Sequence, residues 1–222
     1  MTHWIDEALL VVPSSLDGAK LKRMMPGCKD PDLWADLLGL YMDRYGLDTK
    51  EEIALFLAQV GHESKDLNAT RENMNYSVEG LLKTFGRHRI TEEEARAYGR
   101  TASQKANQQA IANTVYGGEW GRINLGNTQG NDGWHFRGGG LMHLTGRGNY
   151  ERCAQATGLD IVRDPDLLVR EPAAAVESAL WFWKDRVTGT NIKTTTRQVN
   201  GGENGLADRT ARYNLAVKVL GV

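Results

Sequence analysis

The stretch TKEEIALFLAQVGHESKDLNATREN, residues 49–73, decides how this chain folds. Thr49 and Glu52 stand at capping-box spacing, in which each side chain satisfies the other's backbone N–H, so a helix starts here. Ile53, Phe56, Leu57, Val60, Ser64 and Leu67 then recur at the spacing of one buried helical face. Glu63 projects at the edge of that face, close to Phe56. A carboxyl group bordered by apolar side chains loses hydration, which favours its protonated form, the state a general acid requires. Glu72 lies nine residues further, and nine steps of about 100° would put it on the opposite side of a continuous helix. The helix therefore has to end between the two acids if they are to converge, and Asn68 to Arg71 is the expected exit. Two carboxyl groups facing one another are what glycoside hydrolysis needs. His62-Glu63 also opens the zinc motif H-E-x-x-H, but Asp66 occupies the second histidine position, so no metal or other cofactor is expected.

Composition narrows the partner. In 222 residues, 27 basic and 28 acidic side chains leave a net charge of −1, which argues against a broad electrostatic grip on nucleic acid or an anionic membrane. Cys28 and Cys153 are too few for a disulfide framework, and they allow one bridge at most. The start has no basic n-region, and the apolar run Ala8 to Val12 is too short for a signal or spanning helix. A soluble, monomeric chain made in the cytoplasm is the expectation.

Helical periodicity dominates the remainder and strand alternation is scarce. Asp32 to Tyr45 carries Leu33, Leu37, Leu38 and Tyr41 at helical spacing before Gly46. Leu81, Leu82 and Phe85 start another helix, and Thr91 with Glu94 forms a second capping-box pattern. Ala102 to Val115 is anchored by Ile111 and Val115, whereas Gly117 to Gly133 reads as a loop. Pro172 opens a helix through Arg186 with Val176, Ala179, Leu180 and Trp183 in one stripe. A final helix runs through Leu206, Thr210, Tyr213, Val217 and Leu220 after Asn200-Gly201-Gly202. Gly138-Gly139-Gly140, set among aromatic residues, reads either as a binding loop or as a tight turn, since no Cβ prevents close backbone approach.

Four of these segments, in order, resemble the catalytic domain of glycoside hydrolase family 19, found in plant-type chitinases and many phage endolysins. They are Ala58-Gln59 with His62-Glu63-Ser64; Glu72-Asn73-Met74-Asn75-Tyr76-Ser77; the glycine segment ending Leu144-Thr145-Gly146; and Val199-Asn200-Gly201-Gly202 followed by Asn204 to Arg209. The resemblance runs from about residue 50 to 220. It implies an all-α, mainly helical, lysozyme-like fold: a single catalytic domain, 1–222, with two lobes flanking a substrate cleft. The larger lobe would take in about 1–77 and 134–222, and the smaller helical lobe about 78–133.

The resemblance also implies an inverting hydrolysis of a β-1,4 link after an N-acetylhexosamine. Glu63 would be the general acid and Glu72 the general base, with Thr145 helping to hold the attacking water. Asn149 and Asn200 align with sugar-contacting asparagines and Tyr76 lies near the base; with Gln59 of the first motif, His143 and Arg209 they make up the expected substrate-binding residues. Arg209 aligns with an arginine of the network that keeps the acids in their working protonation states. Where the family usually reads Gly-Arg-Gly and then Gln, this chain has Gly139 and His143, so substrate contacts differ there. The expected substrate is bacterial peptidoglycan, degraded by an endolysin that a separate holin-like protein admits to the periplasm. A chitinase of the same fold, a lytic transglycosylase and an inactive carbohydrate-binding homologue are the alternatives.

Overall fold

A computed structural model describes residues 16–222, so the run Ala8–Val12 lies outside the described residues. These residues form helices α1 (Gly18–Met24), α2 (Pro31–Arg44), α3 (Lys50–Glu63), α4 (Val78–Thr84), α5 (Glu92–Tyr98), α6 (Gln108–Val115) and α7 (Gly118–Leu125). They continue as α8 (Asp132–His135), α9 (Arg147–Thr157), α10 (Leu167–Arg170), α11 (Pro172–Arg186), α12 (Ile192–Asn200) and α13 (Leu206–Leu220). Among them only isolated β-bridges form, so the all-α expectation holds. None of these helices is long and apolar enough to cross a membrane. The chain divides into two compact units, one comprising the chain up to Asn68 together with Trp183–Val222, the other Ala69–Phe182.

In the first unit α3 is central, packed by α13 and α12. Ile53 through Gly61 are all buried, so α3 is enclosed on every side rather than along the single stripe its spacing suggested. Thr49 caps its start by accepting from the Glu52 amide at 3.2 Å. The reciprocal half of the expected capping box does not form. Glu52 instead accepts from Trp183 Nε1 at 3.0 Å and Lys184 Nζ at 3.1 Å, partners supplied by the tertiary fold. On α2, Trp34, Ala35, Leu38 and Met42 are buried while Leu33 is exposed. The helix α12, with its run of three threonines, was not legible in the sequence, since β-branched residues favour strands.

In the second unit Met74, Leu81, Phe85, Ile90, Ala95, Ile111, Ala112, Val115 and Tyr116 share one core. Thr91 and Glu94 form the full capping box anticipated from their spacing. The expected loop over 117–133 is wrong in two places, where α7 and α8 form. Glycines disguised α7: Gly117 is its N-cap, and Gly126 takes the left-handed conformation that ends it. Asp132 is buried and anchors this region, accepting from Arg147 Nε at 2.9 Å and Nη2 at 2.6 Å and from the amides of Thr128 and Gln129. Both cysteines are buried, and neither forms a disulfide.

Phe56 is fully buried and meets Trp183 edge to face at 5.4 Å, so Phe56→Ala is expected to cost about 3–5 kcal/mol in urea unfolding. Burial alone would push the Asp132 carboxyl up, but Arg147 and the two amides outweigh it and hold it below the usual range. Its stabilisation is therefore complete above the unfolded carboxyl value of about 3.9 and is lost as pH falls through the lower folded value. Asp132→Asn should flatten the acid limb of a stability–pH profile.

Candidate functional site

Glu63 is the last residue of α3. The chain leaves the helix sooner than expected, through Lys65, Asp66 and Leu67, all three with positive φ, rather than through Asn68–Arg71. Three consecutive left-handed residues cannot continue a right-handed helix. Ser64 steadies the exit, its hydroxyl donating to Val60 O at 2.6 Å and accepting from the Leu67 amide at 2.9 Å.

The surroundings of Glu63 are not the apolar border that its helical spacing suggested. Arg209, on α13, is 1% exposed and places Nη2 2.5 Å from Glu63 Oε1. Its Nη1 donates to Gln59 Oε1, and its Nε to Asn204 O. Gln59 itself is 0% exposed and donates to the hydroxyls of Thr195 and Thr196. Gln59 and Arg209 are thus buried and occupied by protein groups around Glu63. Asn200, exposed at the end of α12, stands outside this network. The Glu63 side chain keeps 19% exposure, and its Oε1 carries the ion pair.

Glu72 is positioned by backbone pairing within the second unit. Residues 70–72 run against 138–140: the Glu72 amide donates to Gly138 O, and the Gly140 amide to Thr70 O, each at 2.9 Å. The carboxylate folds back onto the same segment, Oε2 accepting from the Gly138 amide at 3.1 Å. Its other oxygen accepts from the Tyr116 hydroxyl at 2.5 Å. Burial, reinforced by the charge of Glu72, pushes the Tyr116 phenol well up, so it remains a donor and Glu72 remains the acceptor. Arg89 lies 5.4 Å from the Tyr116 ring centroid and 3.7 Å from that of Trp120. Tyr116 went unremarked in the sequence because a lone tyrosine at a helix end carries no local signal.

The glycine segment serves this carboxylate. A Cβ at Gly138 would stand 2.9 Å from Glu72 Cβ and 3.0 Å from His143 Cβ, so only glycine lets the backbone approach the acid. At Gly139 a Cβ would collide with the Tyr150 hydroxyl, with Arg71 Nη1 also close, so the space a family arginine would enter is filled. His143 holds a left-handed φ of 46°, and its carbonyl accepts from Thr145 Oγ1 at 2.8 Å. Asn149 Nδ2 donates to Thr145 O. Glu72, Gly138, His143, Thr145 and Asn149 thus form a contiguous group. Tyr76 belongs to the same unit, and burial followed by the Glu72 charge raises its phenol too.

Residues 45–214 match the profile of glycoside hydrolase family 19, described as chitinase class I. The chain belongs to glycoside hydrolase family 19. A family 19 domain-containing protein of Haemophilus influenzae is 33% identical over 174 residues, spanning 78% of this chain and 82% of that one. An Arabidopsis thaliana endochitinase is 35% identical over 74 residues, 32% of this chain and 26% of its own length. In fold, the chain is similar to a bacterial family 19 chitinase at a TM-score of 0.59 and 20% identity, covering 94% of this chain and 96% of that one. This protein is therefore a chitinase-like glycoside hydrolase. Among the described residues no group of three or more His, Cys, Asp or Glu side chains is placed to hold a metal ion.

A hydrogen bond to a charged group contributes about 1.5–3 kcal/mol. Tyr116→Phe, which keeps the ring against Phe85, should therefore lower kcat/KM by roughly 10- to 150-fold.

Proposed function

We propose that the protein is an endolysin that degrades peptidoglycan by inverting hydrolysis of a β-1,4 bond between amino sugars. The observation that carries this reading is the pair of family-motif carboxyl groups, Glu63 and Glu72, each held by its own side-chain and backbone partners. Glu72 accepts on both oxygens from groups that only donate to it, as suits a general base. Glu63 has Oε1 bonded to the Arg209 guanidinium and keeps 19% side-chain exposure, and its acid role rests on the motif it shares with the family. Thr145, held beside His143 and Asn149, steadies the water that Glu72 deprotonates.

In this mechanism the sugar oxygen takes the proton of Glu63 as the C1–O bond breaks, and Glu72 removes a proton from the water that attacks C1 from the other face. Water is consumed, and the configuration at C1 inverts. The filled space at Gly139 and the presence of His143 change the polar contacts available to a sugar beside Glu72. A holin-like protein would give the enzyme passage from the host cytoplasm to the wall.

Mass spectrometry of muropeptides released from purified sacculi should show reducing ends carrying oxygen from labelled water; anhydro ends would reveal a transglycosylase instead. Colloidal chitin, treated in parallel, should release far less reducing sugar. Glu63→Gln removes the transferable proton and is expected to abolish lysis of outer-membrane-stripped cells; full activity in that folded variant would overturn the acid assignment.

A further inference from the structure

α12 carries Thr194-Thr195-Thr196 in mid-helix, a run that weakens a helix and that packing alone does not require. Local conflicts of this kind concentrate where function imposes them. Thr195 and Thr196 are both fully buried, and each hydroxyl donates to the same carbonyl, Ile192 O, at 3.1 and 2.7 Å. A hydroxyl has one proton. With that proton committed, each threonine oxygen has only lone pairs left to offer.

Those lone pairs face the amide of Gln59, whose Nε2 lies 3.2 Å from Thr195 Oγ1 and 3.0 Å from Thr196 Oγ1. Only the NH2 end of the amide can satisfy two acceptors. The opposite end meets Arg209 Nη1, a guanidinium that donates and never accepts, so only Gln59 Oε1 can satisfy it. The two ends agree, and the amide has one permitted orientation. Arg209 is then tethered at Nη1 by Gln59 and at Nε by Asn204 O, which leaves Nη2 aimed at Glu63.

We propose that Thr195 and Thr196 are positioning residues for the general acid: they orient the Gln59 amide, and Gln59 in turn sets the Arg209 guanidinium against Glu63. The proposal rests on the assignment of Glu63 as the acid. It gives the threonine run a purpose that neither sugar contact nor core packing supplies, because both side chains are sealed from any ligand.

The test uses the full chain with soluble glycan strands from sacculi and, in parallel, chitin oligosaccharides. Thr195→Val with Thr196→Val removes both acceptors while nearly keeping shape, and kcat should fall roughly tenfold with KM within about twofold of the parent. Thr195→Ser with Thr196→Ser restores the acceptors and should return kcat to within about twofold. A folded valine pair with unchanged kcat overturns the proposal, as does a serine pair as impaired as the valine pair. Glu63→Gln runs beside them: activity there removes the acid assignment itself, whereas an inactive Glu63→Gln with an unaffected valine pair removes only the relay. If the valine pair unfolds in a circular-dichroism melt, Thr196→Val alone is read instead. A kcat loss of about threefold, rescued by Thr196→Ser, then supports the relay, and an unchanged kcat overturns it.

Discussion

Burying a guanidinium is affordable only if each of its donors finds a partner and its charge finds a counter-ion. Each of the three Arg209 nitrogens has a partner, Nε in Asn204 O, Nη1 in Gln59 and Nη2 in Glu63, the last supplying the counter-charge. Removing one member of such a pair strands a buried charge, at a cost of about 3–5 kcal/mol. The same interaction that keeps α13 against α3 therefore also fixes the carboxyl group at the end of α3.

Glu72 is held by a different device. Its backbone pairs with the glycine segment, and its side chain returns to the same segment, so a short piece of chain determines both where the acid sits and which atoms it faces. Tyr116 adds a donor whose proton is secured by burial. One carboxyl group is thus paired with a fixed cation and the other with neutral donors.

The sequence was most legible where a signal was local. Thr91 and Glu94 formed the capping box their spacing announced, whereas Thr49 and Glu52 formed half of one because Trp183 and Lys184, more than 130 positions away, claimed the Glu52 carboxylate. The helix α7 hid behind glycines that turned out to be its caps, and α12 hid behind threonines whose helical setting makes sense only with Gln59 in place. The motif residues Glu63, Glu72 and Thr145 were identified by their order along the chain, but Tyr116 was not.

The sequence alone determined the helical class, the start of α3, the necessity of an exit between the two acids and the family to which the chain belongs, because each depends on spacing or motif order. The tertiary structure decided which groups surround each acid. Gln59 lies buried against Arg209, the apolar border expected around Glu63 is met by a guanidinium, and the glycine segment cradles Glu72. These outcomes share one physical reason: hydrogen bonds and ion pairs are set by distances of about 3 Å in space, and separation along the chain does not specify them.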